Sequence, residues 1–349
     1  MLEPNILLYI HHHGKGHLAR CKKLINVIKK HAKIEIVAAD KDFSHTLKSV
    51  FTHIPIHLLP SKWEGINGVQ NRTFDRAFEG VPFSQGAAKR ARAFHRIVVE
   101  RNITGFISDV SAELTIYARG AGLKVLMQRH SGDTSVDPTQ VFAYQCSEAL
   151  YAPYPELCES PDFTFRQKTH FLGMLNNDTT PLSKHEAGVT LVHNDIRVID
   201  SVCKQLSYYD LPVKVIGSCP THWTPPSHIT FIGRVDNLIE HVKTEVVICG
   251  GGNNTVCELL SRKKKLVIIP EEKPYQEQLT KARRLDNMNA AVLLSPAVLD
   301  EEKSVSRAIE KTRGLCDRTL NTLYQDSVNL DWSAEFEKIV KDNLLCPSQ

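Results

Sequence analysis

"VVICGGGNNTVCELLSRKKKLVIIPEEKPYQEQLTKARRL", residues 246–285, decides the fold. It begins with an apolar, β-branched run that breaks into Gly250, Gly251 and Gly252, and a helix-compatible pattern starts near Thr255. A second apolar run, 266–269, stops at Pro270, and after a polar loop Glu277 and Gln278 open another helical pattern. Strand, glycine turn, helix, strand, loop, helix is a pair of βα units, so the strands they carry lie parallel.

The same alternation recurs outward from this block. Apolar or β-branched runs stand at 6–10, 34–39, 57–59, 105–110, 124–128 and 149–154, and again at 189–193, 213–217, 229–233, 246–250, 266–270 and 290–295, with helical patterns between them. A chain of 349 residues exceeds what one hydrophobic core organises. The expectation is two doubly wound, Rossmann-like α/β lobes facing a cleft, a front lobe at 1–152 and a rear lobe at 189–328. Residues 153–188, rich in Pro, Asp, Asn and Thr, read as the linker between them, and 329–349 as a terminal helix that returns to the front lobe.

Composition excludes several classes. With 42% hydrophobic and 23% charged residues the chain is globular rather than disordered. Its nine cysteines are dispersed, odd in number and contain no C-x-x-C, which argues against a zinc site and for a reducing compartment. No apolar run approaches the length of a membrane span and no secretory leader pattern opens the sequence, so a cytoplasmic location is expected. The net charge of +4 is local: residues 14–34 carry seven Lys or Arg and no Asp or Glu, and "KRARAFHRIVVER" (89–101) repeats the theme. On the first helical pattern Leu18, Cys21, Leu24, Ile25 and Ile28 share an apolar face, with Lys22, Lys23, Asn26, Lys29 and Lys30 on the opposite, solvated side. Such a rim suits an anionic partner, including peripheral contact with an anionic membrane surface. Lacking interleaved aromatics, it does not suit single-stranded nucleic acid. The weakly periodic stretch 60–88, with Trp63, Phe74, Phe78 and Phe83, reads as a loop that covers substrate.

The glycines at 250–252 let backbone amides come close to a ligand while the following helix aims its positive end at the same point, which makes a diphosphate cradle. Tight packing can require the same glycines, and neither G-x-G-x-x-G nor the Walker GK[ST] is present. Glu258 has two readings: with Thr255 it matches a capping box, or its carboxylate accepts both hydroxyls of a ribose. Glu277 and Gln278, at the start of the next helix, can bind several sugar hydroxyls at once.

The combination G-G-G-x-N-T-x-x-E, then I-P, then E-Q opening a helix resembles the donor site of two-domain (GT-B) glycosyltransferases, in particular the family-28-like branch that includes the bacterial lipid II synthase and the galactolipid synthases. The resemblance implies that Gly251, Gly252, Asn253, Asn254 and Thr255 meet the phosphates of a UDP-sugar, Glu258 its ribose, and Glu277 and Gln278 its sugar. Arg234 and Val235, in "FIGRVDN", fall where that family's backbone meets uracil. "GKGHLARC" (14–21) is similar to the family's N-terminal G-x-G-H loop, which places Gly16 opposite the donor, and "SDVSAELTIYARGAGLKV" (108–125) and "ALYAPYP" (149–155) resemble segments of its bacterial members. The chain departs from the pattern at "TLVHNDIRV", where His193 or Asn194 stands in place of a glycine-rich turn, and at "QRHSGDTSVDP" (128–138).

The implied activity is transfer of a hexose, N-acetylglucosamine by default, from UDP to a glycan, lipid-linked or small-molecule acceptor, with inversion and with neither metal nor other cofactor. An attacking hydroxyl must lose a proton while UDP leaves as an anion. His17, where the first helix begins, can take that proton, and Asp109, at the carboxyl end of the fourth strand, can hold the other ring nitrogen. The bland alternatives are that His17 satisfies the helix start and that Asp109 caps the helix after "SDVSAE". His11, His12 and His13 are consecutive on a strand exit and cannot all face one ion. The same opening resembles the G-x-G-H-x-x-R-C of the UDP-sugar hydrolase of pseudaminic acid synthesis, so hydrolysis is an alternative, as is a non-catalytic UDP-sugar-binding protein. A UDP-sugar 2-epimerase is disfavoured because no acidic pair for proton shuffling is evident.

Overall fold

The structure, a computed structural model, describes residues 3–12, 15–65, 81, 84–175, 185–220, 222 and 224–346. His13, Gly14 and the Phe74, Phe78 and Phe83 of the expected covering loop lie outside the described residues.

Two parallel sheets form the two lobes. The front sheet contains β1 (Asn5–Tyr9), β2 (Lys33–Ala38), β3 (Ile56–Leu58), β4 (Gly105–Ser108), β5 (Lys124–Gln128), β6 (Ala149–Ala152) and β7 (Thr169–Phe171), in the order 3-2-1-4-5-6-7. Its helices are α1 (Lys15–Ile28), α2 (Lys41–Val50), α3 (Gln85–Glu100), α4 (Ala112–Gly120) and α5 (Pro138–Cys146). The rear sheet contains β8 (Glu186–Val192), β9 (Val213–Ile216), β10 (Ile229–Phe231), β11 (Thr244–Cys249), β12 (Lys265–Ile268) and β13 (Ala291–Leu293), in the order 10-9-8-11-12-13. Around it lie α6 (Ile196–Leu206), α7 (Leu238–His241), α8 (Asn253–Leu260), α9 (Glu277–Asn287), α10 (Ser304–Arg313) and α11 (Asp317–Asn329).

Helices cover both faces of each sheet, which is why the central strands are apolar without a break. Along β1, Ile6 and Leu8 enter the core shared with α1, while Leu7 and Tyr9 enter the core shared with α3 and α4. Part of the stretch expected as linker departs from that reading: Thr169–Phe171 pairs in parallel with β6 and closes the front sheet. At three residues it is too short to stand out as an apolar run.

The chain returns to the front lobe through α12 (Trp332–Val340) and a further π-type turn, Lys341–Leu345. Trp332, Phe336, Ile339 and Val340 join the core that α1 forms with the front sheet. Full burial of such side chains contributes about 1.5–3 kcal/mol each, which fastens the two ends of the chain together. A second apolar junction mixes Ala152, Tyr154 and Met174 with Cys249, Val256 and Cys257 of the rear lobe. Strand order reverses between β1 and β4 and between β8 and β11, so both crevices open at the carboxyl ends of those strands, where sites in such sheets are built.

Candidate active site

The front half of the site is organised around a buried carboxylate. Asp109, fully buried just beyond β4, accepts the His11 backbone N–H at 3.0 Å, lies 2.8 Å from His17 Nδ1 and accepts Arg20 Nη2 at 2.9 Å. Burial alone would raise the carboxyl, but His17 and Arg20 outweigh it and hold Asp109 well below the usual carboxylate range. An ionised Asp109 cannot donate, so His17 Nδ1 carries the proton and the Nε2 lone pair is left to act as a base. Arg20 Nη2 also approaches that Nδ1 at 2.9 Å, yet the nitrogen already carries a proton, so the guanidinium bond runs to Asp109 Oδ1.

The backbone that presents Asp109 is strained. Val110 has φ of 63°, a left-handed conformation that a β-branched residue adopts only under constraint. The turn is closed by Ser108 Oγ, which accepts from Ser111 N–H at 3.1 Å and donates to Ser111 C=O at 2.9 Å. Ser111, not Asp109, caps α4 by accepting Leu114 N–H, so the capping alternative for Asp109 is excluded. His17 lies inside the first turn of α1 with its ring on Asp109 rather than capping the helix.

The rear half is built mainly from backbone. α8 starts at Asn253, with Gly252 as its N-cap and no side-chain cap. Its first-turn N–H groups therefore lack intrahelical partners and point toward the cleft with the helix's positive end. Because the helix starts two residues before Thr255, the Thr255–Glu258 capping box does not form. Glu258 instead faces a cavity of about 170 Å³ between the lobes, lined also by Arg20, Lys23, Leu175, Asn253 and Asn254. Burial raises its carboxyl, with Lys23 and Arg262 opposing, and no hydrogen bond reaches it among the described residues. Across the cleft Asn254 Nδ2 donates to Gly16 C=O at 3.2 Å, and a Cβ on Gly16 would lie 2.9 Å from that nitrogen. The starts of α1 and α8 thus face each other, two positive helix ends beside Arg20 and Lys23, an arrangement that attracts a multiply charged anion.

Residues 220–324 match the glycosyltransferase family 28 C-terminal domain. Among solved structures, MurG of Acinetobacter baumannii superposes with a TM-score of 0.70 at 12% identity, over 97% of this chain and 99% of that one. The calicheamicin glycosyltransferase CalG4 superposes with a TM-score of 0.70 at 14% identity over the whole of both chains. The spinosyn rhamnosyltransferase SpnG, complexed with thymidine diphosphate, gives 0.69 at 13% identity over 97% of this chain and all of that one. The rear lobe therefore carries a match to the glycosyltransferase family 28 C-terminal domain, and the whole chain shares its two-lobed α/β fold with these solved structures. Sequence comparison with curated proteins finds no match.

Several of the expected donor contacts stand differently in the structure. Gly251 N–H is engaged by Gln278 Oε1 at 2.9 Å, and the same oxygen accepts Glu271 N–H at 2.9 Å. A Cβ on Gly251 would lie 2.8 Å from Gln278 Cβ and 3.0 Å from its carbonyl, so this glycine serves the packing of α9. Gly252, with nothing within 4 Å of a built Cβ, is the glycine open to a ligand. Gln278, 5% exposed, is therefore a staple between two loops whose oxygen is already engaged. Glu277 is one-third exposed and meets the front lobe through Ser131 Oγ at 3.4 Å. Val235 packs half-buried on the rear core and Arg234 is exposed beside it. His193 does not replace a phosphate turn: Asp195 N–H donates to its Nδ1 at 3.0 Å and its Nε2 donates to Ile269 C=O at 3.2 Å. Asn194 next to it is exposed.

Sequence reasoning gave no role to His11, Arg20 or Lys281. Arg20 had a signal, since it stands one helical turn from His17 in "GHLARC". Lys281, buried and one turn beyond Glu277, has its charge disfavoured by burial and reaches Gly251 C=O at 3.5 Å. Lys23, read as solvent-facing, lines the cleft cavity and bonds Leu175 C=O. Two carboxylates spaced D-x-D can grip a divalent ion, but the triplet Asp40-Lys41-Asp42 opens α2, where Asp40 accepts Phe43 N–H at 2.7 Å. No group of three His, Cys, Asp or Glu side chains converges among the described residues, and none of their helices is long and apolar enough to cross a membrane.

Proposed function

We propose that the protein transfers a hexose from a UDP-sugar, with N-acetylglucosamine the first choice, to a hydroxyl or amine acceptor, with inversion and without a metal ion. The observation that carries this reading is the His17–Asp109 contact of 2.8 Å, placed where α1 and α8 meet across the cleft.

In this reading Gly252, Asn253, Asn254 and Thr255 bind the diphosphate through the start of α8, Glu258 accepts the ribose hydroxyls, and Arg234 and Val235 flank uracil. Glu277 meets the sugar. The acceptor O–H gives its proton to His17 Nε2 as its oxygen bonds to the anomeric carbon, and the bond from that carbon to the UDP oxygen breaks. The imidazolium is stabilised by Asp109, and the charge on departing UDP by the amides of α8 with Arg20 and Lys23 nearby. Attack from the face opposite the leaving group inverts the centre.

The acceptor is a glycan, a lipid-linked sugar or a small molecule, and the basic face of α1 suits peripheral contact with an anionic membrane. The test is a UDP-sugar panel incubated with cell extract, read by mass spectrometry with and without EDTA. A hexose-sized mass gain on an acceptor, unchanged by EDTA, is expected. Stoichiometric release of free sugar without acceptor would assign hydrolysis instead, and binding without turnover a sensor.

A further inference from the structure

A second cross-lobe contact lies outside the diphosphate cradle. Tyr275 and Gln276, just before α9, have φ of 56° and 50°, two consecutive left-handed non-glycine residues. Such a pair costs about 1–3 kcal/mol per residue and persists only when surroundings enforce it. The front lobe does so: Asp133 N–H donates to Tyr275 C=O at 2.9 Å, the Tyr275 hydroxyl donates to the Asp137 carboxylate, and the His130 ring stands edge-on with centroids 4.9 Å apart. Gly132 is required here, because a Cβ would lie 2.5 Å from Tyr275 O.

The front-lobe loop is itself braced. Arg129, 3% exposed, bonds both oxygens of Glu159 at 3.1 and 3.2 Å, donates to Gly132 C=O at 3.1 Å and lies 3.9 Å over the Phe163 ring. On this platform Gly132 N–H donates to His130 Nδ1 at 3.4 Å, which leaves the ring proton on Nε2. Nε2 faces Glu277 Oε2 at 3.7 Å, and Ser131 Oγ donates to the same oxygen at 3.4 Å. At 3.7 Å the His130–Glu277 approach is just beyond hydrogen-bond distance, and such contacts in active sites commonly tighten when the site fills.

We propose that His130 is a positioning residue for the donor sugar: with Ser131 it fixes the Glu277 carboxylate toward the sugar hydroxyls, so that the front lobe completes a subsite begun by the rear lobe. This rests on the UDP-sugar reading above. Burial pushes the imidazole down to about 4, opposed by Glu277 and reinforced by Arg129, His17 and Lys281, so at neutral pH it is an uncharged N–H donor.

The test titrates wild type, His130→Ala, His130→Gln and Ser131→Ala by calorimetry with UDP and with UDP-N-acetylglucosamine, UDP-glucose and UDP-galactose. UDP affinity is expected to be the same in all four proteins, which also reports an intact fold. The preference for the best UDP-sugar over UDP should fall about tenfold in His130→Ala, less in Ser131→Ala, and recover in His130→Gln, which keeps an N–H donor. An undiminished preference in both alanine variants, or no recovery in His130→Gln, overturns the proposal. Wild type that binds UDP with no preference for any UDP-sugar overturns it while leaving the nucleotide site standing. Absence of UDP binding overturns both.

Discussion

The two halves of the cleft are finished to different degrees. In the front lobe His17, Asp109, Arg20 and the His11 amide are mutually bonded, and the carboxylate they surround is fully buried. In the rear lobe the helix proposed to meet the phosphates begins at a bare glycine, and the Glu258 carboxylate faces a cavity with no hydrogen bond to it among the described residues. On the proposed reading the base is oriented before substrate arrives, whereas the Glu258 carboxylate and the first-turn amides of α8 await a ligand. Preorganisation belongs where charge moves, and unmet hydrogen-bonding capacity where binding energy is gained.

Breaking the front half should have the largest effect. His17→Ala is expected to lower kcat about a thousandfold with UDP affinity unchanged, measured by steady-state kinetics and calorimetry. Asp109→Asn should do similar damage to kcat and also destabilise the fold by about 3 kcal/mol in denaturant titrations, because Arg20 loses its buried counter-charge. The lowered Asp109 carboxyl contributes stability above the ordinary carboxylate range that is lost as pH falls through it, so the gap between wild type and Asp109→Asn should narrow in acid.

Two adjacent glycines sharpen the contrast within the rear half. Gly251→Ala drives a methyl against the Gln278 backbone and should cost about 1–3 kcal/mol of stability. Gly252→Ala meets nothing, at a φ of −60° that alanine accepts, and should leave the melting temperature alone while weakening UDP binding. Glu258→Gln should lower UDP affinity about tenfold or more. Its raised carboxyl makes ionised Glu258 a cost that grows as pH rises through its folded value, so the same variant should melt higher than wild type at pH 7 and lose that advantage in acid. Thr255→Val, the smallest change, should shift stability by less than about 0.5 kcal/mol, since Thr255 is not the cap.

Much of the architecture was legible because buried parallel strands are unbroken apolar runs. "KVLMQ" became β5 without adjustment, and "VVICG" located β11 and the turn after it. β7 was missed because "THF" carries no such run. The His17–Asp109 pair could be read from the positions of both residues at strand and helix ends. The exchange between Gly251 and Gln278 could not, because it depends on how closely α9 approaches the turn. The loop at 128–138 looked only like a departure from pattern, since its partners Glu159 and Tyr275 are remote in sequence and come together through packing. Arg20 was in plain view, but its role appears only once Asp109 is seen to be fully buried and in need of a counter-charge.

Hydrogen exchange of wild-type protein with and without UDP, alongside calorimetry, tests the central arrangement most directly. The account predicts saturable UDP binding below about 1 mM, with slowed exchange concentrated at the 250–258 turn and helix start and at the 15–20 segment facing it. Heat-silent titration at that concentration, or protection confined to surfaces away from both segments, would contradict it.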